Sequence, residues 1–168
     1  MGTEIERKFL IRLPDFDTIP DLRIQEITQT YLTPPPSDPE PERRVRKISE
    51  NGRIRWIYTE KRPIRGMGKI ARQEDEWEIS EAEYGEKLAD AMTRLTKTRY
   101  SFPFAGHTVE IDVYPHEIGG DALEGLAVME IELESPDEAI EFPPFIRVIR
   151  ELTGTREFSN KALARPVK

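Results

Sequence analysis

Apolar and polar side chains alternate with a period of two through most of this chain, and that periodicity predicts strands. Eight segments carry it: Glu4–Leu13, Gln25–Leu32, Arg43–Ser49, Arg53–Lys61, Ala71–Ile79, Lys97–Phe104, Thr108–Tyr114 and Ala127–Glu134. Turn residues at Glu50-Asn51-Gly52 and Ala105-Gly106-His107 join neighbouring segments and favour antiparallel hairpins. Helical spacing occurs in two places. Ser80 and Glu83 stand at the separation of a capping box, after which Tyr84, Leu88, Ala91, Met92 and Leu95 recur on one face. Phe145, Val148, Ile149 and Leu152 form a second stripe that Gly154 can stop, and a further helical turn is expected after Asn160. The pattern predicts a β-rich α+β fold. Pro34 to Glu42 (PPPSDPEPE) suits neither a helix nor a central strand. Strand patterns of one kind flank it, so it reads as an exposed loop inserted in a single domain over residues 1–168.

The polar positions of these strands are unusual because they are almost all charged. Glu4, Glu6 and Lys8 share a face opposite Ile5, Phe9 and Ile11. Arg44 and Arg46 flank Val45, and Arg53, Arg55, Thr59 and Lys61 oppose Ile54, Trp56 and Tyr58. Arg72, Glu74, Glu76 and Glu78 oppose Ala71, Trp77 and Ile79. Lys97 and Arg99, then Glu110 and Asp112, then Glu130, Glu132 and Glu134 continue the series. An open antiparallel sheet with one wet face also alternates. Such a face ordinarily mixes in threonine, serine and glutamine, and it gains nothing from like charges on successive outward positions. Here the signs are segregated by strand, with acidic pairs at 4/6, 110/112 and 130/132 and basic pairs at 44/46, 53/55 and 97/99. Closing the sheet would turn these charges into a narrow lumen, where each must meet an opposite charge, a metal ion or a ligand.

Composition narrows the chemistry. With 32 acidic and 25 basic residues the formal charge is -7, and no basic block stands out, so nucleic acid is not an expected partner. The absence of cysteine removes disulfides and thiolate metal sites, and is compatible with a cytoplasmic location. No apolar run is long enough for a transmembrane helix, and the opening MGTEIERKFL lacks the pattern of a secretory signal. His107 and His116 both fall in turn or loop surroundings and read as surface residues. The Ile64–Lys69 stretch has two glycines but not the spacing of a phosphate-binding Walker loop. Trp56, Trp77 and Tyr114 read as packing residues of the apolar face.

Hard divalent cations take carboxylate oxygens, which makes Glu4, Glu6, Asp112, Glu130 and Glu132 the candidate metal ligands. Arginine forks and lysine point charges suit phosphate oxygens, so Arg44, Arg46, Arg55, Lys61, Arg72, Lys97 and Arg99 are candidates to grip a polyanion. Glu74, Glu76, Glu110 and Lys161 are accessory candidates.

The ordered set Glu4-Ile5-Glu6-Arg7-Lys8, Gln29-Thr30-Tyr31, Arg44-Val45-Arg46, Thr59-Glu60-Lys61, Arg72-Gln73-Glu74-Asp75-Glu76, Lys97-Thr98-Arg99-Tyr100, Glu110-Ile111-Asp112, Glu130-Ile131-Glu132 and Ser159-Asn160-Lys161-Ala162-Leu163-Ala164 resembles the CYTH superfamily. Its members are also called triphosphate tunnel metalloenzymes, and the chain looks most like the compact bacterial inorganic triphosphatases. The resemblance implies an eight-stranded antiparallel closed β-barrel, a tunnel, with helices packed outside. It also implies Mg²⁺ or Mn²⁺ at Glu4, Glu6, Glu130 and Glu132, and triphosphate contacts from Lys8, Arg44, Arg46, Lys61, Arg72, Lys97 and Arg99. Tyr31, working near Lys97, would be the proton acceptor by the same resemblance; a metal-activated water oriented by Tyr31 is the alternative. The Pro34–Glu42 loop and the Phe158-Ser159 pair depart from the usual pattern and bear on substrate range. The expected activity is hydrolysis of inorganic tripolyphosphate to pyrophosphate and orthophosphate. Thiamine or nucleoside triphosphate hydrolysis, a class IV-type adenylate cyclase and a non-catalytic polyphosphate-binding module are the alternatives, as monomer or homodimer.

Overall fold

The computed structural model describes residues 2–68 and 70–167; Lys69, at the end of the Ile64–Lys69 connection, lies outside them. The strands are β1 (Gly2–Arg12), β2 (Arg23–Leu32), β3 (Glu42–Glu50), β4 (Arg53–Pro63), β5 (Ala71–Ile79), β6 (Ala91–Phe104), β7 (His107–Val113) and β8 (Leu126–Glu132). They pair antiparallel in the order β6-β2-β3-β4-β5-β1-β8-β7, and β7 returns to β6, so the sheet closes. Closure removes the exposed edges that an open sheet would present. Tight turns make the β3–β4 and β6–β7 hairpins, where Asn51 and Ala105 adopt positive φ ahead of Gly52 and Gly106.

The seam between β1 and β5 is short. Only Gly2–Ile5 of β1 pairs with β5, while Glu6–Arg12 pairs with β8 on the other side. This leaves the β5 side of the second half of β1 without a barrel partner, and β9 (Val148–Glu151) fills it by pairing with Phe9, Leu10 and Ile11. The expected helix over the stripe Phe145, Val148, Ile149 and Leu152 is therefore not formed. Unpaired backbone groups along β1 outweigh a weak helical pattern that follows Pro143-Pro144 and contains β-branched Val148 and Ile149. Leu152 N–H still donates to Lys8 O at 2.7 Å, and Leu152 is fully buried.

The first predicted helix forms but ends early. Ser80 Oγ accepts from Glu83 N–H at 3.1 Å and Glu83 Oε1 accepts from Ser80 N–H at 3.3 Å, completing the capping box of α1 (Glu81–Lys87). A 3₁₀ turn follows over Leu88–Asp90, and Ala91, Met92 and Leu95 then belong to β6. Periods of 3.6 and two overlap across these residues, and the long ladder that β2 offers decides for the strand. A short helix α2 (His116–Gly119) follows β7, and the turn expected after Asn160 is α3 (Asn160–Leu163). α1 sits outside the barrel, placing Tyr84, with Leu88 of the following turn, over Val45 and Tyr58, while α2 and α3 pack across one end of it.

The main apolar core is on the outer face of the barrel. Phe9, Ile11, Phe102, Val109, Ile111, Ala127, Met129 and Ile131 point outward and are covered by Phe16, Ile19 and Leu22 from one connection and Ile140 and Ile146 from another. A second cluster packs into one end of the lumen, where Leu10, Leu95 and Val128 meet Ile118, Leu123, Leu152 and Leu163. Trp77 is not core: it is 47 % exposed and stands edge-on to Tyr58. Ile111 is fully buried in the outer core, so Ile111→Ala is expected to cost about 2–5 kcal/mol in urea unfolding. Ile24→Ala, at a half-exposed site, should change stability by less than about 0.5 kcal/mol.

Candidate functional site

Because side chains alternate across each strand, the outward set just described forces the charged set inward. The lumen is a cavity of about 830 Å³ bounded by β1 to β8 and by the chain from Leu152 to Ala162. Its lining includes Glu4, Glu6, Lys8, Tyr31, Arg44, Arg46, Arg55, Lys61, Arg72, Glu74, Glu76, Arg99, Glu110, Glu130, Glu132 and Lys161. Lys97 and Asp112, at 2 % and 1 % exposure, are buried in the wall and do not line the open space.

One wall is acidic. Register sets Glu6 opposite Glu132 and Glu110 opposite Glu130, and like charges directly across a sheet repel. Burial, with Glu130 and Glu4 beside it, pushes the Glu6 carboxyl well above its usual range. Removal from bulk water, together with Glu110 and Glu4, pushes Glu132 up to about 7. Burial would also raise Glu130, but Lys8 and Arg99 outweigh it and hold that carboxyl low; Lys61 does the same for Glu4. Among the described residues no three acidic or histidine side chains stand in ready-made metal-ligand geometry. Magnesium asks for less, being commonly held by one or two carboxylates with waters and phosphate oxygens completing the set. The facing carboxylates Glu4, Glu6, Glu130 and Glu132 supply that donor chemistry, and a cation between them would relieve the cross-strand repulsion.

The other wall is basic. Arg44 and Arg46 are both buried on β3 and separated by one residue. Among the described residues no carboxylate lies within salt-bridge distance of Arg44, and the Nε atoms of both arginines lack hydrogen-bond partners. Burial and the neighbouring Arg44 push the Arg46 guanidinium down to about 10, with Glu76 as its partner. Lys61 donates to Glu4 at 2.9 Å and stands 3.5 Å from Glu74; Arg72 lies 3.7 Å from Glu42. Arg55 is set apart from this group, since Ile48 and Ile57 stand between it and Arg46 on the lumen face.

Two other candidates are engaged separately. The Tyr31 hydroxyl accepts from Gln29 Nε2 at 2.7 Å, and burial, partly offset by Arg44, pushes its pKa up to about 12. Lys97 donates to Asp112 at 2.7 Å and to Asn160 Oδ1 at 3.3 Å, with no bond to Tyr31. Burial and nearby Arg99 bring the Lys97 ammonium down to about 8. Arg99 takes Asp112 with two nitrogens, at 2.8 and 2.9 Å, and reaches Glu110 at 3.0 Å. Both Asp112 oxygens thus already face cations.

Several lumen residues escaped the strand pattern. Arg23 and Gln25 share the inward face of β2, which begins two residues earlier than its sequence suggested. Extending the parity of that strand would have found Arg23. Tyr114 packs as expected, but against the Leu10, Leu95 and Val128 cluster on the parity of Glu110 and Asp112, and its hydroxyl donates to Asn160 Oδ1. Glu42 lies at the edge of the proline-rich loop, Arg156 sits on irregular chain where no period applies, and Asn160 opens α3 in the 159–164 stretch where a helical turn is expected. His107 is half-buried and pairs with Glu138, so it is no free surface residue; His116 is exposed beside Asp121. Asp38 anchors the proline-rich loop to Arg43 and Arg62 at 3.0 and 2.9 Å, which holds it beside the Tyr31 end of the lumen.

Comparison with known proteins agrees with this geometry. The profile of the CYTH domain family matches residues 2–165. The inorganic triphosphatase of Nitrosomonas europaea is 34% identical over 167 residues, covering 96% of this chain and 97% of that protein. The inorganic triphosphatase of Acetivibrio thermocellus is 32% identical over 168 residues, covering 98% and 95%. A crystal structure of an inorganic triphosphatase superposes with a TM-score of 0.57 at 30% identity, over 96% of this chain and 97% of that one. A Pyrococcus horikoshii protein, with a TM-score of 0.59 at 23% identity over 80% of each chain, shares the fold. A closed barrel with a charged lumen, matched along nearly its whole length, makes this chain a member of the CYTH, or triphosphate tunnel metalloenzyme, family.

Proposed function

We propose that this protein is a cytoplasmic phosphohydrolase that cleaves inorganic tripolyphosphate to pyrophosphate and orthophosphate with the help of Mg²⁺ or Mn²⁺. The observation that carries the reading is the pair Arg44 and Arg46, two buried guanidinium groups one residue apart on the lumen face, whose Nε atoms have no hydrogen-bond partner among the described residues. Two buried cations this close repel each other and hold unmet donors, and a polyanion is the ligand that relieves both. The names of the Nitrosomonas and Acetivibrio relatives support tripolyphosphate as that polyanion.

In this reading Arg44, Arg46, Lys61 and Arg72 hold the phosphate chain on one wall, and Lys8 and Arg99 hold it on the other. Glu4, Glu6, Glu130 and Glu132 would hold the metal, which when bound supplies charge neutralisation at phosphate oxygens and acidifies water. Asp112 aligns Lys97 and Arg99 through its two oxygens. Water attacks the terminal phosphorus and the bond to the bridging oxygen breaks, releasing orthophosphate and leaving pyrophosphate. Tyr31, with its pKa near 12, keeps its proton at neutral pH and orients an oxygen by donating to it.

Phosphate release from tripolyphosphate should require Mg²⁺ or Mn²⁺, stop on chelation, and exceed release from ATP or thiamine triphosphate. Glu130→Gln should lower kcat/KM by about 100-fold, or roughly 2.7 kcal/mol of transition-state stabilisation. Cyclic AMP formation from ATP, or tight tripolyphosphate binding without turnover in the presence of either metal, would overturn the assignment.

The acidic wall also fixes a pH dependence. Folded Glu132 keeps its proton up to about pH 7, whereas its ordinary value is 4.5, so the folded state binds more protons between those limits. Stability of the metal-free protein therefore falls as pH rises through this window, and the Tm should be lower at about pH 8 than at about pH 5.5. Glu132→Gln should flatten that slope. Added Mg²⁺, competing with protons for the same oxygens, should raise the Tm more at the higher pH. A metal-free Tm that climbs between these two pH values would contradict the placement of the carboxylates.

A further inference from the structure

The Lys97–Asp112 pair is buried in the barrel wall, yet one side chain connects it to the open lumen. Asn160 is the first residue of α3, whose backbone is fixed by Ser159 Oγ accepting from Ala162 N–H at 3.1 Å. Asn160 Oδ1 accepts from Lys97 Nζ at 3.3 Å and from the Tyr114 hydroxyl. Asn160 lines the cavity and Lys97 does not.

The chemistry of the partners fixes which way the carboxamide faces. A protonated lysine has three donors and no acceptor, so only the oxygen of Asn160 can meet it. The NH₂ group must then sit on the opposite branch, and among the described residues no acceptor takes it. Its atoms are not among the buried polar atoms left without a partner, so the group is not sealed away, and the residue that carries it lines the lumen. A two-donor group held in this way is matched to an acceptor-only ligand. Being neutral, it adds hydrogen bonds without a further charge in a lumen already crowded with charges.

We propose that Asn160 is a substrate-binding residue that also positions Lys97: its oxygen fixes the lysine ammonium while its NH₂ group donates to a phosphate oxygen of the bound polyphosphate. The assignment rests on the tripolyphosphate reading above. Tyr114 acts through Asn160, its hydroxyl holding the same oxygen from the β7 side. An aspartate at this position would still accept from Lys97 and Tyr114, but would turn a carboxylate oxygen toward the polyanion.

The chain has two asparagines, Asn51 and Asn160, so nitrogen-15 labelling of asparagine side-chain amides gives two NH₂ pairs. Asn51 lies in the exposed β3–β4 turn and serves as the internal reference. The Asn160 pair, identified by its loss in Asn160→Asp, should shift on titration with tripolyphosphate in metal-free buffer. It should saturate with the Kd measured by calorimetry while the Asn51 pair stays in place. In steady-state assays Asn160→Asp should raise KM by about tenfold or more and lower kcat by less, whereas Asn160→Leu should lower kcat by about tenfold or more as Lys97 loses its support. Binding heat that saturates with no movement of the Asn160 pair, or an Asn160→Asp KM within about twofold of wild type, would overturn the proposal. If Asn160→Leu does not fold, the wild-type spectra and Asn160→Asp decide alone. Wild-type protein that neither binds tripolyphosphate nor releases phosphate from it would instead bring down the broader reading, and this one with it.

Discussion

Charge inside a narrow barrel is the constraint on which the rest of this structure depends. A side chain that points inward from β1 to β8 has left bulk water, and an ion in that position is tolerated only with a partner. Most of the inward charges have one: Lys61 with Glu4 and Glu74, Arg99 with Asp112 and Glu110, Arg46 with Glu76. The remainder do not balance locally. Arg44 lacks a carboxylate at salt-bridge distance among the described residues, while Glu6 faces Glu132 across the β1–β8 register. Positive excess on β3 and negative excess where Glu6 of β1 meets Glu132 of β8 are complementary, yet the lumen separates them. Bound cation and polyanion together would complete the neutralisation that the protein leaves unfinished.

A lumen built this way contributes little to holding the fold together, so the stabilising surface must be elsewhere. It lies on the outside of the barrel, where Phe9, Ile111, Met129 and Ile131 are sealed by the connections carrying Phe16, Ile19, Ile140 and Ile146. Small closed barrels with apolar interiors reverse this arrangement. Here the hydrophobic effect acts on the outer face, and the connections between strands are structural cover as much as links.

This division explains why the sequence was so readable along the strands. Inward and outward positions alternate between strongly charged and strongly apolar residues, so the period of two gave both the eight barrel strands and the lining residues on them, from Glu4 to Glu132. It failed where two periods coincide, as at Ala91, Met92 and Leu95, and where a helical stripe was overruled by a long-range need for hydrogen bonds, as at Val148–Glu151. Tyr114 packs as read, but on the inward face, which shows only when the parity of Glu110 and Asp112 is counted through to the end of the strand. Arg156 was beyond reach of periodicity altogether, and the helical turn expected at Asn160 does not say which way that residue faces. Their positions follow from how the last part of the chain crosses the barrel end, and that depends on tertiary contacts.

The tertiary contacts in question start from the short seam between β1 and β5. Because β5 pairs with only the first residues of β1, the chain after β8 must return to β1 as β9, and Leu152 N–H then bonds to Lys8 O. Lys8 is itself an inward residue beside Glu130, at 3.6 Å. The return therefore delivers the segment from Leu152 to Ala162 to the lumen next to the acidic wall, and Leu163 buries against Leu10 and Leu95 to hold it there. A full β1–β5 ladder would leave no edge for β9 to join, and Asn160 would lose the strand that carries it toward Lys97. The gap in the barrel that the sequence does not announce is thus what brings the C-terminal residues into the charged lumen.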